Sequence, residues 1–372
     1  MKVVVIQDFL PEYRIPFFEG LKRQLKLDNI SLDLYHSKTK SSKLINSNLS
    51  WATPVNTVKI FGFKHFLLPK KVFTYDLIII PQEVKYTHTF ILLLASFFNP
   101  KIRVCFWGHG KNLQAKSRKE KLIDKTKKII SKNAFWWFAY NDFSAKIVAD
   151  FGYPKQRITS IQNTIEKPQQ KAHSCHHESY ANKLKQKSNN ILIFSGGFYA
   201  EKRIDFLILS SKEVRKKVRD LELVLIGSGE LFDSLKNEHK NEEWIHFTGK
   251  LTPSTATYYW DISKLALMPG LVGLVVIDSF IHGTPLVTTN YPYHSPEFSY
   301  ITHAKNGWIT DNWRSSSCYA KDIEYILEND KTFNTLKTEA KKSSHKYSME
   351  AMINNMRIGI KSAINYQPTF HS

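Results

Sequence analysis

The stretch Pro269–Val287 (PGLVGLVVIDSFIHGTPLV) sets one carboxylate, Asp278, in a run that otherwise reads as buried core. An acid there needs a reason, because an ionised carboxylate among apolar side chains is costly unless something hydrogen-bonds it. One reading is a carboxylate kept for a hydrogen-bonding role. The other reading is an ordinary helix residue on a wet face. Upstream, Ser195 to Arg203 (SGGFYAEKR) carries Gly196 and Gly197 into a helix start with two cations, Lys202 and Arg203. Amides at a helix N-terminus, joined by two cations, suit a diphosphate. Gly227 and Gly229 make a further tight turn, a weak signal taken alone. His109 stands between Gly108 and Gly110, directly after the apolar run that ends at Trp107.

These residues need a scaffold, and the order of apolar runs supplies one. Strand-like pieces fall at Val3–Gln7, Ile30–Tyr35, Leu77–Pro81, Val104–Trp107, Trp136–Tyr140 and Ile158–Ile161 in the first half. The second half has them at Ile191–Phe194, Leu223–Ile226, Ile245–Phe247, Leu265–Met268 and Leu286–Thr289. Continuous apolar strands separated by helical patterns indicate parallel sheets covered on both faces, hence two doubly wound α/β domains. In such sheets ligands bind beyond the carboxyl ends of the strands, where all the residues singled out above lie. A helix is expected from about Leu274 to His282, closed by Gly283, and another from Ser348 to Ile364 with Ser348 as its cap. The domains are read as 1–166 and 191–346, with 347–372 a C-terminal helix crossing back to the first. Lys167–Asn190 is polar and poor in periodicity, so it reads as a linker or long surface loop. Its His173, Cys175, His176 and His177 could ligate a metal, but such a loop offers no groups to orient them. No metal site is expected.

Four blocks, "FSGGFYAEKRIDFLI", "LVLIGSGELFDSLK", "IHFTGKLTPSTATYYWDISKLALMPGLVGLVVIDSFIHGTPLVTTN" and "HSPEFSYITHAKNGWI", together resemble the retaining glycosyltransferases of family 4. The resemblance covers nearly all of residues 191–310; the first half matches more loosely through "DFLPEYRIPFFEGL", "FWGHGKN" and "ITSIQNTIE". It implies the GT-B architecture, two Rossmann-like domains facing across a cleft. It also implies a nucleotide-diphosphate sugar as co-substrate, no cofactor, metal independence, and transfer with retained anomeric configuration. In that family a glutamate, seven residues and a second glutamate precede and enter the helix, and the second accepts the donor's ribose hydroxyls. Here the second falls on Asp278 and the first on Gly270, while Gly197 stands where the family has an arginine, leaving Lys202 as the matching cation. The lost glutamate suggests that amides of Gly273 and Leu274 carry more of the sugar binding, and Arg203 is a candidate to share charge neutralisation. Gly196, Gly227 and Gly249 complete the donor set. Glu297 is expected to order the loop over the donor, with His294 beside it. His109 is expected to face the donor sugar, positioning a hydroxyl or stabilising charge. Pro11–Arg14 replaces the family's paired glycines, which makes Tyr13 and Arg14 acceptor residues.

Charge points to the acceptor's setting. Of the formal +20, residues 1–165 carry +16 and the remainder +4. The densest part, Lys111–Lys132, places Leu122, Ile123, Thr126, Ile129 and Ile130 at helical spacing opposite its lysines. Such a helix either lies on an anionic lipid surface or is a solvated face over a core stripe. The longest apolar run, Phe90–Phe98, is too short to span a bilayer, and Met1–Leu10 has no signal-peptide anatomy, so a cytoplasmic enzyme peripheral to the inner membrane face is expected. The acceptor would be a glycan or lipid-linked glycan of a cell-surface polysaccharide such as O-antigen, capsule or lipopolysaccharide. Two other classes compete: a non-catalytic protein binding a nucleotide sugar and a membrane or nucleic acid, and a GT-B-type nucleotide-sugar epimerase. Nucleic acid would need the aromatics Phe135–Phe138 exposed for stacking, whereas four bulky aromatics in a row read as a buried strand. A nicotinamide dehydrogenase is disfavoured because no strand-linked Gly-x-Gly-x-x-Gly with a distal acid occurs.

Overall fold

Every apolar run read as a strand forms one, and each sends alternate residues to opposite faces of a parallel sheet. The structure, a computed structural model, describes residues 1–38, 49–113, 118–168 and 175–367. The chain divides into two compact units, one of Met1–Glu166 with the chain from Ser348 onward, the other of Lys167–Tyr347.

The first unit runs β1 (Lys2–Gln7), α1 (Ile15–Leu27), β2 (Ser31–Ser37), β3 (Thr53–Val55), β4 (Thr57–Ile60), β5 (Phe63–Phe66), β6 (Leu77–Pro81), α2 (Thr87–Phe98), β7 (Val104–Gly108), α3 (Arg118–Ser131), β8 (Trp136–Ala139), α4 (Asp142–Asp150) and β9 (Ile158–Ser160). Seven strands pair in the order β3-β2-β1-β6-β7-β8-β9, all parallel, while β4 and β5 form a separate antiparallel hairpin. Val3, Val5, Leu77, Ile79, Trp136 and Phe138 enter one core. Val4, Ile6, Ile78, Ile80 and Trp137 enter the other, on the opposite face. Because Trp136, Trp137 and Phe138 are all buried, that run presents no stacking face to a nucleic-acid base.

The second unit runs α5 (Cys175–Lys187), β10 (Ile191–Ser195), α6 (Ile204–Arg215), β11 (Glu222–Ile226), α7 (Phe232–Glu238), β12 (Ile245–Gly249), α8 (Pro253–Ile262), β13 (Leu265–Met268), α9 (Val275–His282), β14 (Leu286–Thr289), β15 (Gly307–Thr310), α10 (Ser316–Glu328) and α11 (Asp330–Lys346). Its parallel strands follow the order β12-β11-β10-β13-β14-β15. The strand order reverses between β10 and β13, so the loops after these two neighbours meet at the switch point, where doubly wound sheets hold ligands. The segment expected as linker or loop instead carries α5. Among its described side chains only Ala181 and Leu184 are buried, with His177 Nδ1 and Tyr259 Oη 2.8 Å apart, too little for an apolar period to show in sequence. His173 and the Cys175 side chain lie outside the described residues.

The last helix, α12 (Met349–Asn365), is capped by Ser348, whose Oγ accepts from Ala351 N at 3.1 Å. Met352, Met356, Ile360 and Ala363 are fully buried in the first unit's core, and Arg357 makes a two-point pair with Asp28 at 2.5 and 2.7 Å. Each large side chain buried there stabilises by about 1.5–3 kcal/mol, and a domain's whole stability is only about 5–15 kcal/mol. Ending the chain at Tyr347 is therefore expected to unfold the first unit while the second still melts cooperatively. Calorimetry and the fluorescence of Trp107, Trp136 and Trp137 read this, and an unchanged melting profile would refute it.

Candidate functional site

At the switch point of the second unit three segments pack main chain to main chain. Phe198 N donates to Ser228 O at 3.0 Å and Gly227 N to Gly249 O at 2.9 Å, tying the loops after β10, β11 and β12 together. Gly227 has φ +142°, and a Cβ on it would stand 1.8 Å from Gly196 O, so this glycine is required by the approach of the two loops. The loop after β13 is fixed as closely. Leu271 N donates to Glu201 O at 2.9 Å, and a Cβ on Gly270 would lie 2.1 Å from Glu201 O and 2.7 Å from Lys202 C. The place of the expected glutamate is thus filled by the main chain of residues 201 and 202. At Gly197 a Cβ would meet the Tyr199 ring at 2.0–2.3 Å, so a tyrosine occupies the space into which an arginine would project.

Side chains then saturate the carbonyls of the β13 loop. Thr288 Oγ1 donates to Met268 O and Thr289 Oγ1 to Pro269 O, each at 2.7 Å, while Lys202 Nζ donates to Leu271 O at 2.6 Å. His294 pins the same loop. Its Nδ1 accepts from Val272 N at 3.0 Å, which leaves the ring hydrogen on Nε2 to donate to Thr289 O at 2.9 Å. Burial, with the Lys202 charge adding to it, lowers the His294 pKa to about 4, so the ring stays neutral and both nitrogens are committed. By contrast, the amides of Gly273 and Leu274 have no acceptor among the described residues and open the N-terminus of α9. Replacing His294 by alanine is expected to free the loop and weaken binding of a nucleoside diphosphate about tenfold, the usual cost of orphaning such a bond. Titration calorimetry with a panel of nucleoside diphosphates checks this, and an unchanged Kd would show that the loop holds itself.

Asp278 lies in the first turns of α9 beside the buried Val276, Ile277 and Phe280. It is surrounded by protein yet keeps an accessible edge, and it has no hydrogen bond or ion pair among the described residues. Burial alone raises its pKa to about 7. Lys202 is the complementary case: burial lowers its pKa to about 8, and no carboxylate pairs with it among the described residues. An unpaired acid and an unpaired cation thus border one loop with two free amides. Arg203 behaves differently from the reading that it shares charge neutralisation. Left-handed at φ +56°, it donates to Trp313 O at 2.5 Å and its guanidinium lies 4.0 Å from the Phe206 ring centre, which engages it in holding that corner of the fold. Glu297 is buried in the turn Pro296–Tyr300 that follows His294.

In the first unit His109 follows β7, as its position in sequence implies. Its ring lies 3.9 Å from that of Tyr140, its Nδ1 is buried without a partner among the described residues, and burial, Lys127 and Arg14 lower its pKa to about 4. It is therefore a neutral imidazole, which excludes a standing positive charge from its chemistry. Arg14 is buried, donates to Asn163 Oδ1 at 2.6 Å, and stacks near Tyr13, Trp107 and Tyr140; Tyr13 is exposed. Gln82, which sequence reading passed over, sits one residue beyond β6 and pairs reciprocally with Gly110, donating to its O and accepting from its N at 3.1 Å each. The signal was present: a lone amide at the end of a fully apolar strand. In α3, Ile123 and Ile129 are exposed and, among the described residues of the stripe, Ile130 packs against the core; the Leu122 side chain lies outside the described residues.

Residues 177–343 match the family model for glycosyl transferases group 1. An uncharacterised glycosyltransferase of Haemophilus influenzae is 25% identical over 179 residues, 46% of this chain and 49% of that protein. The alpha-monoglucosyldiacylglycerol synthase of Streptococcus pneumoniae is 31% identical over 99 residues, 25% of this chain and 22% of that protein. The matched part therefore spans about half the length of the first relative and under a quarter of the second. Among solved structures, Anabaena Alr3699/HepE in complex with UDP has a TM-score of 0.70 at 14% identity, covering 97% of this chain and 100% of that one. The lipopolysaccharide outer core galactosyltransferase WaaB has a TM-score of 0.67 at 12% identity, covering 97% and 99%. The fold is GT-B, and within it residues 177–343 are similar to the glycosyl transferases group 1 family.

Proposed function

We propose that this chain transfers a sugar from a nucleotide-diphosphate donor to a glycan or lipid-linked acceptor, with retained anomeric configuration, in the building of a cell-surface polysaccharide. The observation that carries the reading is the unpaired Asp278 carboxyl at the switch point, bordered by the unpaired Lys202 ammonium and the free amides of Gly273 and Leu274. The carboxylate accepts the two ribose hydroxyls. As the bond between the sugar's anomeric carbon and the diphosphate oxygen breaks, that oxygen gains charge, and Lys202 with the amides stabilises it, the electrostatic route that usually contributes most to catalysis. His109 donates or accepts a hydrogen bond at a sugar hydroxyl as a neutral ring. Tyr13 and the Arg14 cluster serve the acceptor. HepE has been solved with UDP-glucose, and the pneumococcal relative is named for a glycolipid product; both support a nucleotide sugar and a lipid-borne acceptor as the classes to test. With +16 on its first 165 residues, the chain is read as cytoplasmic and peripheral on the inner membrane face.

The test is a panel of nucleotide sugars and free nucleotides, scored by the rise in thermal midpoint with EDTA present throughout. Bound donor raises stability by mass action, by about 2.7 kcal/mol at a hundred times its Kd. One nucleotide family is expected to protect, without metal, and to turn over when extracted lipid-linked glycans are added. Protection by none would remove the proposal, and interconversion of the sugar without any acceptor would turn it toward an epimerase.

A further inference from the structure

Helix α2 has an apolar face that nothing among the described residues of its unit covers. His88, Thr89 and Leu92 point inward, whereas Phe90, Ile91, Leu94, Phe97 and Phe98 are exposed, the last two by 79% and 76%. Their spacing of one, three and four residues lines them along one side of the helix. The β4–β5 hairpin joins α2 through Lys64 N to Lys85 O at 2.9 Å, His65 Nδ1 with Thr87 Oγ1 at 2.6 Å, and Phe66 against His88 at 4.6 Å. Its tip is apolar as well. Ile60 pairs with Phe63 across the two-residue turn Phe61–Gly62, whose φ values of +49° and +82° suit Asn-Gly. A phenylalanine in that left-handed position works against the turn, and it is 97% exposed. A residue that burdens its own hairpin and is left exposed by the described residues is explained by something outside the hairpin.

We infer that α2 and the hairpin tip form the surface by which the first unit enters the headgroup layer of an anionic bilayer. The inference rests on the membrane-peripheral reading above and names its face. Charge decides the occupant: residues 56–103, which carry the hairpin and α2, hold seven Lys and Arg against two acids, and Lys59, Lys70, Lys71, Lys85 and Lys101 among them are exposed. A second copy docked through the same face would set those cations against their equals, while anionic lipid complements them. At 12 residues α2 is about 18 Å long, too short to cross a bilayer and suited to lying in its surface. Among the described residues no helix is long and apolar enough to span a membrane.

Flotation of the full chain with phosphatidylglycerol-containing vesicles, and with phosphatidylcholine vesicles as reference, tests this. The wild type is expected to float with the anionic vesicles, and Phe61→Ser/Phe97→Ser/Phe98→Ser to lose about a hundredfold in affinity while keeping its thermal midpoint and its protection by UDP. A second variant, Lys125→Glu/Lys128→Glu on α3, separates the faces. If that variant detaches and the serine variant binds like the wild type, the α2 face is wrong and the peripheral reading stands on α3. Should the wild type ignore both vesicles, the peripheral reading itself falls. A dimer in sedimentation velocity that the serine substitutions dissociate would give the face to a second copy and overturn the inference.

Discussion

Asp278→Asn is expected to abolish protection by the nucleotide donor while raising the melting temperature of the ligand-free protein. The two effects have one cause. Burial without a partner holds the Asp278 pKa near 7, so folding costs more as this group ionises. A carboxyl whose pKa is raised by folding stabilises below its unfolded value near 4, and that contribution is lost as pH rises toward 7. The gain from asparagine should therefore be absent near pH 4 and complete above pH 7, where it amounts to a few degrees, about 2–4 °C per kcal/mol for a unit of this size. Binding runs the other way. In the proposed donor site the two ribose hydroxyls need an acceptor of two strong bonds, and the amide offers weaker ones, so donor affinity should fall about a hundredfold or more. In the wild type the same groups set a pH window. Affinity rises toward pH 7 as Asp278 ionises and falls above pH 8 as Lys202, with its pKa lowered to about 8, loses its proton. A stabilised variant that still bound donor as tightly as the wild type would take Asp278 out of the site.

How much of this could be read beforehand depends on what each residue answers to. The buried strands were legible because both their faces are core: Ile191–Phe194 and Leu265–Met268 are unbroken apolar runs set between helical patterns. The glycine blocks followed, since they stand at the ends of those strands. The hairpin from Thr57 to Phe66 was not legible, because its apolar residues other than Phe66 face outward and its turn is Phe61–Gly62 in place of a recognised pair. Strand β3 is a three-residue edge, and β15 opens on a glycine, so neither offers a run to detect. At the site, Asp278 and Lys202 could be found as charged residues in apolar or glycine-rich company. The pins could not. His294 bonds the main chain of Val272 and Gln82 that of Gly110, 22 and 28 residues away, and no local pattern records such pairings.

The substitution with the largest structural effect should be Gly270→Glu, the change that would restore the family's first carboxylate. All three atoms nearest to a Cβ at this position are main chain, Glu201 O at 2.1 Å, Lys202 C at 2.7 Å and Lys202 O at 2.8 Å, so no rotamer change makes room. The loop must move away from residues 201 and 202. That separation breaks Leu271 N to Glu201 O and draws Leu271 O from Lys202 Nζ, releasing the cation that borders the proposed donor site. Overpacking of this kind costs about 1–3 kcal/mol, and the lost bonds add about 1 kcal/mol each. The second unit should melt about 5–10 °C lower, with donor protection lost. Gly270→Ala should do nearly the same, because the first carbon is what collides. Gly197→Arg is the contrasting change: its nearest neighbour is the outer end of the Tyr199 ring, which is exposed and can swing aside, so this variant should keep its fold. If Gly270→Glu were as stable as the wild type and bound donor as well, the two loops would not be in the contact on which Lys202 depends. If the variants divide as expected, position 270 contributes no side chain to the donor sugar. Sugar selection in this chain would then rest with main-chain amides and residues outside that pair of positions.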